Sequence, residues 1–202
     1  MDKIQKINQS HYDNQAEKWA DIKTHSFWHE ANFRRLIKYL KKGDNVIELG
    51  AAHGICVPLF LGIGRDSRYI GIDISKNLLS IAKRRYPQLD FKESNLLDYK
   101  TLPRGKFDGF WAPAVMMHIP EKDWPMMLTN IEKLVKKDGV GYLTLPEERP
   151  NPASKDDQRY FSFWTYEKLK KIVEPRGWKI LQHGKMPETA AQWNWFIIRM
   201  PK

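Results

Sequence analysis

An α/β fold with a doubly wound, mostly parallel, Rossmann-like sheet is predicted by three observations. Five short apolar runs alternate with amphipathic segments, a glycine-bracketed turn follows the first run directly, and an acid ends the second. The first run, Val46 to Leu49, leads into Gly50-Ala51-Ala52-His53-Gly54, and the second, Tyr69 to Ile72, ends in Asp73. A strand, tight turn, helix and second strand in this order form the front half of a nucleotide-binding fold. In such a fold an acid roughly twenty residues past the glycine turn accepts hydrogen bonds from ribose hydroxyls.

Each element follows from its own pattern. Apolar periodicity predicts an amphipathic helix over about Ser10 to Ile22 and another over Phe27 to Lys41, stopped by Gly43. Strands centre on Val46 to Leu49, Tyr69 to Ile72, Asp90 to Glu93, Phe107 to Ala112 and Val140 to Leu145, with helices between them. Pro58 falls in the first turn of its helix, and Pro125 follows Asp123, a suitable N-cap, so neither proline breaks a helix interior. Trp178 to Gln182 and Trp193 to Arg199 have no helical pattern between them and predict an antiparallel hairpin at the sheet edge. The expected organisation is one domain over residues 1–202. It comprises a helical cap (1–43), a ligand-binding core (44–145), an irregular proline-rich and aromatic segment (146–164), and a terminal helix with the hairpin (165–202).

Glu48 bears on which nucleotide is bound. A carboxylate at the mouth of the first strand repels the diphosphate of a dinucleotide, whereas S-adenosylmethionine carries a sulfonium and an ammonium that an acid attracts. The turn Gly50-x-x-x-Gly54 also lacks the dinucleotide spacing. With these residues the chain resembles the class I S-adenosylmethionine-dependent methyltransferases of the small, single-domain type 11/25 kind, from about Tyr12 to Arg199. Glu48, Gly50, Ala52 and Gly54 match the first motif, with Ala52 where the family usually has a second glycine and His53 where it has a small or polar residue. Asp73 matches the ribose-binding acid and Leu78 an apolar residue against the adenine. Asn95, in Glu93-Ser-Asn-Leu-Leu-Asp98, stands where an aspartate more often faces the adenine amino group. The resemblance implies a cofactor site of these residues with Tyr12, Trp19, Ala51, Ile74, Leu96, Ala112 and Val115. Tyr12 would reach the methionine carboxylate, and the product would be S-adenosylhomocysteine.

Methyl transfer from a sulfonium asks the protein chiefly to align the acceptor and exclude water. A base is needed only where the acceptor must lose a proton. His118, in the loop after the fourth strand, is the candidate base, and packing of the loop before Ile119-Pro120 is its competing structural role. Tyr160 and Trp164, in the aromatic run Arg159 to Trp164, are candidates to stack on an acceptor, although such runs more often belong to a core. His11, His25 and His29 are exposed by pattern, and His183 and Trp193 read as hairpin packing. Glu147 and Glu148 read as solvated loop acids or contacts to a cationic acceptor. No metal is expected, because the acids after the fourth and fifth strands do not form a cluster and the single cysteine and scattered histidines do not suit zinc.

Composition limits the remaining classes. The 202 residues include one cysteine, which excludes an internal disulfide, and Cys56 reads as a small core residue. The first residues lack a signal-like apolar stretch and no run approaches a membrane span, so a cytoplasmic protein without membrane association is expected. The formal net charge is +10. Many of its lysines and arginines fall at predicted helix C-termini, where they complement the helix dipole. The surplus also draws polyanions. The expected partner is a small-molecule acceptor, held by a monomer or homodimer. An RNA or other polyanionic substrate, and a non-catalytic relative that binds the cofactor or a partner, are the alternatives.

Overall fold

In the computed structural model, which describes residues 1–21, 25–61, 68–148, 157–186 and 192–202, a seven-stranded sheet runs in the order β3-β2-β1-β4-β5-β7-β6. The strands are β1 (Val46–Leu49), β2 (Tyr69–Asp73), β3 (Asp90–Glu93), β4 (Phe107–Ala112), β5 (Val135–Pro146), β6 (Lys179–Lys185) and β7 (Trp193–Arg199). The first five pair in parallel, and β7 inserts antiparallel between β5 and β6. The helices are α1 (Lys3–Asn14), α2 (Ala16–Ala20), α3 (His25–Leu36), α4 (Val57–Leu61), α5 (Lys76–Arg85), α6 (Trp124–Leu134) and α7 (Tyr166–Val173).

Burial on both faces explains why the central strands read as continuous apolar runs: every residue of β1 is buried, Glu48 included. One face packs Trp124, Leu128, Ile131, Leu169 and Val173 of α6 and α7 against the sheet. The other packs Phe33 and Leu36 of α3, Phe60 of α4 and Leu79 and Ala82 of α5 around Trp111 and Tyr142, whose rings stack at 4.0 Å. No helix among the described residues is long and apolar enough to cross a membrane.

The strand centres and the terminal hairpin lie where the sequence places them, but β5 begins at Val135 rather than Val140, and a 3-10 turn at Tyr99–Thr101, not an α-helix, joins β3 to β4. The N-terminal helix starts at Lys3, not Ser10, because Asp2 and Gln5 form a reciprocal capping box. It breaks at Gln15, and Ile22 lies outside the described residues. Its polar face is engaged by hydrogen bonds rather than apolar packing, so hydrophobic periodicity missed its first two turns. The second helix ends at Leu36, passes through a 3-10 turn at Ile37–Tyr39 and reaches Gly43, whose φ of +88° suits the glycine stop. In the hairpin Trp178 precedes β6 and is buried in the core.

Candidate functional site

The direction in which strands are added reverses between β1 and β4, and the crevice beyond their carboxyl ends is where an open α/β sheet binds ligands. A cavity of about 500 Å3 lies there, a size that suits a small molecule.

The turn after β1 forms one wall. Gly50, Ala52 and Gly54 all have left-handed backbone, with φ of +76°, +46° and +80°. A Cβ on Gly50 would stand 2.7 Å from the Val115 side chain, so only glycine lets the turn pass beneath the loop after β4. Ala52 accepts the strained conformation, and its N–H donates to Asp73 Oδ2 at 2.9 Å. Ser75, the N-cap of α5, donates its backbone N–H to Asp73 Oδ1 at 2.8 Å. These bonds fix the carboxylate at the cavity edge and leave each oxygen a further lone pair for a ligand hydroxyl. Burial raises the Asp73 pKa while the backbone N–H groups oppose the rise.

Glu48 is fully buried and lines the same cavity. The Tyr69 hydroxyl donates to Oε2, whereas Oε1 has no hydrogen-bond partner. Burial pushes its pKa from the ordinary 4.5 up to about 7. A buried carboxylate oxygen without a hydrogen-bond partner, on a residue that lines the cavity, suits a ligand ammonium. Cys56 lies beside it, and burial pushes its thiol well above the ordinary range, which keeps it protonated.

The adenine end of the expected site is lined by Ile74, Leu78, Asn95 and Leu96. Asn95 Oδ1 already accepts from Leu97 N and from Gln5 Nε2, each at 2.9 Å. An adenine amino group that bonds to this oxygen therefore competes with Gln5, a residue the sequence reading passed over. Three expected cofactor residues do not line the cavity: Ala51 and Ala112 are buried in the two core clusters, and Gly54 faces the Tyr86 ring. Tyr12 and Trp19 pack against Ala52, Leu78 and Ile81, so α1 and α2 lie over the turn. Gln9 Nε2 donates to Ile74 O, and Asp13 accepts from Ser75 Oγ, which pins α1 there.

His118 lines the cavity, and its tautomer follows from its partners. Nδ1 faces the Tyr160 carbonyl at 2.9 Å and must donate, because a carbonyl only accepts; Nε2 then accepts from the Tyr12 hydroxyl at 2.8 Å. Burial lowers the imidazole pKa to about 4, so the ring is neutral at pH 7. Arg159 Nη1 in turn donates to the Tyr12 oxygen at 2.9 Å. Arg159 lines the cavity and pairs with Asp157 through Nε and Nη2 at 2.9 and 2.7 Å. Neither residue was singled out from the sequence. The available signal was Asp157-Gln-Arg159 directly before an aromatic run, an ion pair beside apolar residues.

The acceptor-side expectations need correction. Trp164 is a core residue: it is fully buried, stacks on Trp124 with ring centroids 3.7 Å apart, and satisfies Nε1 on Ser162 Oγ. Tyr160 does not line the cavity and acts through its backbone, which binds His118 and Asn8. His29, expected in solvent, is only 6% exposed and lines the cavity, with Nδ1 3.1 Å from the Tyr142 hydroxyl. His53, Phe161, Thr144, Met186 and Trp193 complete this half. His11 is half-buried beside Asp157, and His183 bonds to Asn194 and packs on Phe196 as hairpin packing requires. Glu147 braces the hairpin by accepting from Asn194 Nδ2 and Lys185 Nζ. The His25 side chain and residues 149–156 of the acceptor-side segment lie outside what the structure describes.

Residues 46–139 match a family model described as a methyltransferase domain. The probable methyltransferase ltbC of Aspergillus luteorubrus is 29% identical over 116 residues, 52% of this chain and 41% of that one. Trans-aconitate 2-methyltransferase of Azoarcus sp. (strain BH72) is 25% identical over 143 residues, 70% of this chain and 53% of that one. The chain thus spans about half the length of these curated relatives. The crystal structure of Burkholderia thailandensis 1,6-didemethyltoxoflavin-N1-methyltransferase, with bound 1,6-didemethyltoxoflavin and S-adenosylhomocysteine, shares the fold. Its TM-score is 0.77 at 16% identity, over 98% of this chain and 88% of that one. Strand order, antiparallel β7 and the glycine turn define the class I methyltransferase fold. The chain thus has the class I methyltransferase fold, and its residues 46–139 match the methyltransferase domain.

Proposed function

We propose that the protein transfers a methyl group from S-adenosylmethionine to a small-molecule acceptor. The observation that carries this reading is the pairing, in one cavity, of Asp73 at the ribose position with the unpartnered Glu48 Oε1 one strand away. The two acids complement ribose hydroxyls and an ammonium, and the first N–H groups of the turn are already engaged: Gly50 N and Ala51 N donate to Ile72 O and Ala52 N to Asp73. The cofactor supplies a methyl group on sulfur, open to in-line displacement by a nucleophile. The chain orients: Asp73 holds the ribose, Glu48 the ammonium, and Tyr12 and Trp19 cover the site and exclude water.

A small acceptor is supported by the half-cavity lined by His29, His53, Thr144, Met186, Trp193 and Phe161, and by the 1,6-didemethyltoxoflavin bound in the Burkholderia structure. His118 is the base on this reading. Its Nε2 holds a lone pair toward Tyr12, so it accepts a proton once that hydroxyl turns aside. Calorimetric titration tests the reading: S-adenosylmethionine and S-adenosylhomocysteine should bind at micromolar affinity and NAD should not. Binding of NAD alone, or of none of the three, would refute it.

The formal charge of +10 favours RNA as a second acceptor. That reading predicts salt-dependent retention of RNA, and a protein indifferent to RNA at low salt eliminates it.

A further inference from the structure

Of the 34 lysines and arginines in the chain, Arg159 is the one that lines the cavity among the described residues. It is held as a recognition group is held. The side chain is 6% exposed, and the Phe161, Trp19 and Tyr12 ring centroids stand 5.1, 5.2 and 5.5 Å from its guanidinium carbon. The fully buried Asp157 carboxylate takes the Nε/Nη2 edge, which fixes the guanidinium plane. Nη1, on the other side of the fork, donates to the Tyr12 hydroxyl, and Tyr12 also lines the cavity.

We propose that Arg159 and Tyr12 form a carboxylate-binding subsite in this cavity. The inference rests on the methyl-transfer reading, under which two ligands can bring a carboxylate: an organic-acid acceptor, or the methionine end of the cofactor. A planar, weakly hydrated guanidinium beside a phenol hydroxyl matches two carboxylate oxygens better than an ammonium does. The subsite is coupled to His118. A carboxylate that accepts from Nη1 and from the Tyr12 hydroxyl draws that hydroxyl off His118 Nε2, and the freed lone pair then faces the ligand. Among the described residues, the titratable groups around Arg159 are Asp157, Tyr12, His11 and His118, and Asp157 is the carboxylate among them.

The test uses Arg159→Lys, which keeps a charge opposite Asp157 but loses the fork. The double variant Asp157→Asn/Arg159→Gln removes both charges and serves if the single variant does not fold. Calorimetry measures S-adenosylhomocysteine and its decarboxylated analogue on each protein, and then benzoate, salicylate, citrate and trans-aconitate on each S-adenosylhomocysteine complex. If the cofactor supplies the carboxylate, native protein prefers S-adenosylhomocysteine over the analogue by about ten- to a hundredfold. The variants lose that preference while the analogue binds as before. If the acceptor supplies it, the preference stays and an acid bound by the native complex weakens by about the same factor in the variants. Native binding of S-adenosylhomocysteine with neither change, including a native complex that binds none of the acids, overturns the proposal and leaves Arg159 as a latch between α1 and the segment after β5. Native protein that binds neither nucleoside overturns the methyltransferase reading itself.

Discussion

Replacing Glu48 with Gln removes a buried charge and keeps an acceptor for the Tyr69 hydroxyl, so the variant isolates one titration. Burial raises the folded pKa from 4.5 to about 7. Below pH 4.5 the carboxyl is protonated in both states. As pH rises through 4.5 the unfolded chain loses its proton while the folded chain keeps it until about 7, so stability falls with rising pH across that window. At 1.36 kcal/mol per pKa unit the full effect is about 3 kcal/mol, most of it between pH 5 and pH 8. His118 works in the opposite direction. Its folded pKa of about 4 lies below the ordinary 6.5, so its contribution to stability is present above pH 6.5 and is lost as pH falls toward 4. The two slopes offset each other between about pH 4.5 and 6.5, and the native protein alone hides both. The assay is urea unfolding of native and E48Q protein from pH 5 to pH 8, read as the difference between them. E48Q should gain on the native protein by about 2–3 kcal/mol over that range, and its own stability should rise with pH as His118 dictates. The same variant should bind S-adenosylhomocysteine more weakly above pH 7, where the native carboxylate is ionised and faces the ligand ammonium. A stability difference that stays constant with pH would refute the assignment of a raised pKa to Glu48.

Asp73→Ala should weaken S-adenosylhomocysteine binding by about 1–3 kcal/mol, the cost of losing charged hydrogen bonds to ribose, and undiminished binding in calorimetry would remove Asp73 from the site. Gly50→Ala combines a φ of +76° with a 2.7 Å approach to Val115, so it should cost about 1–3 kcal/mol in urea unfolding and weaken cofactor binding; native behaviour would show that the turn relaxes freely. Ala52→Gly relieves a left-handed alanine at +46° and should leave stability unchanged or raise it by up to about 1 kcal/mol, so a clear loss would contradict the strain argument. Trp164→Ala should cost about 3–5 kcal/mol because it empties the stack on Trp124, whereas an acceptor contact would instead raise KM with stability intact.

The strands, the glycine turn and its acids were legible in the chain because their signals are local. A strand buried on both faces must be apolar along its length, as Val46 to Leu49 and Phe107 to Ala112 are. A left-handed turn under a neighbouring loop requires glycine at position 50. Glu48 was legible for the opposite reason: an acid inside such a strand needs a purpose. The N-terminal helix was only half visible, since Gln5, Asn8 and Gln9 attach it to the core through polar bonds that leave no hydrophobic period.

Sequence alone therefore determined the fold class and the glycine turn with its two acids, because periodicity and backbone sign are properties of neighbouring residues. Tertiary structure alone decided the other half of the cavity. Tyr12 meets His118 across 106 positions and Arg159 across 147, and no spacing rule joins residues so far apart. Of the two aromatic candidates in one short run, it placed Trp164 in the core and left Tyr160 to serve through its backbone. It also drew His29 out of solvent to Tyr142. The side that such a residue faces is set by the packing of distant elements, and that packing exists only once the chain has folded.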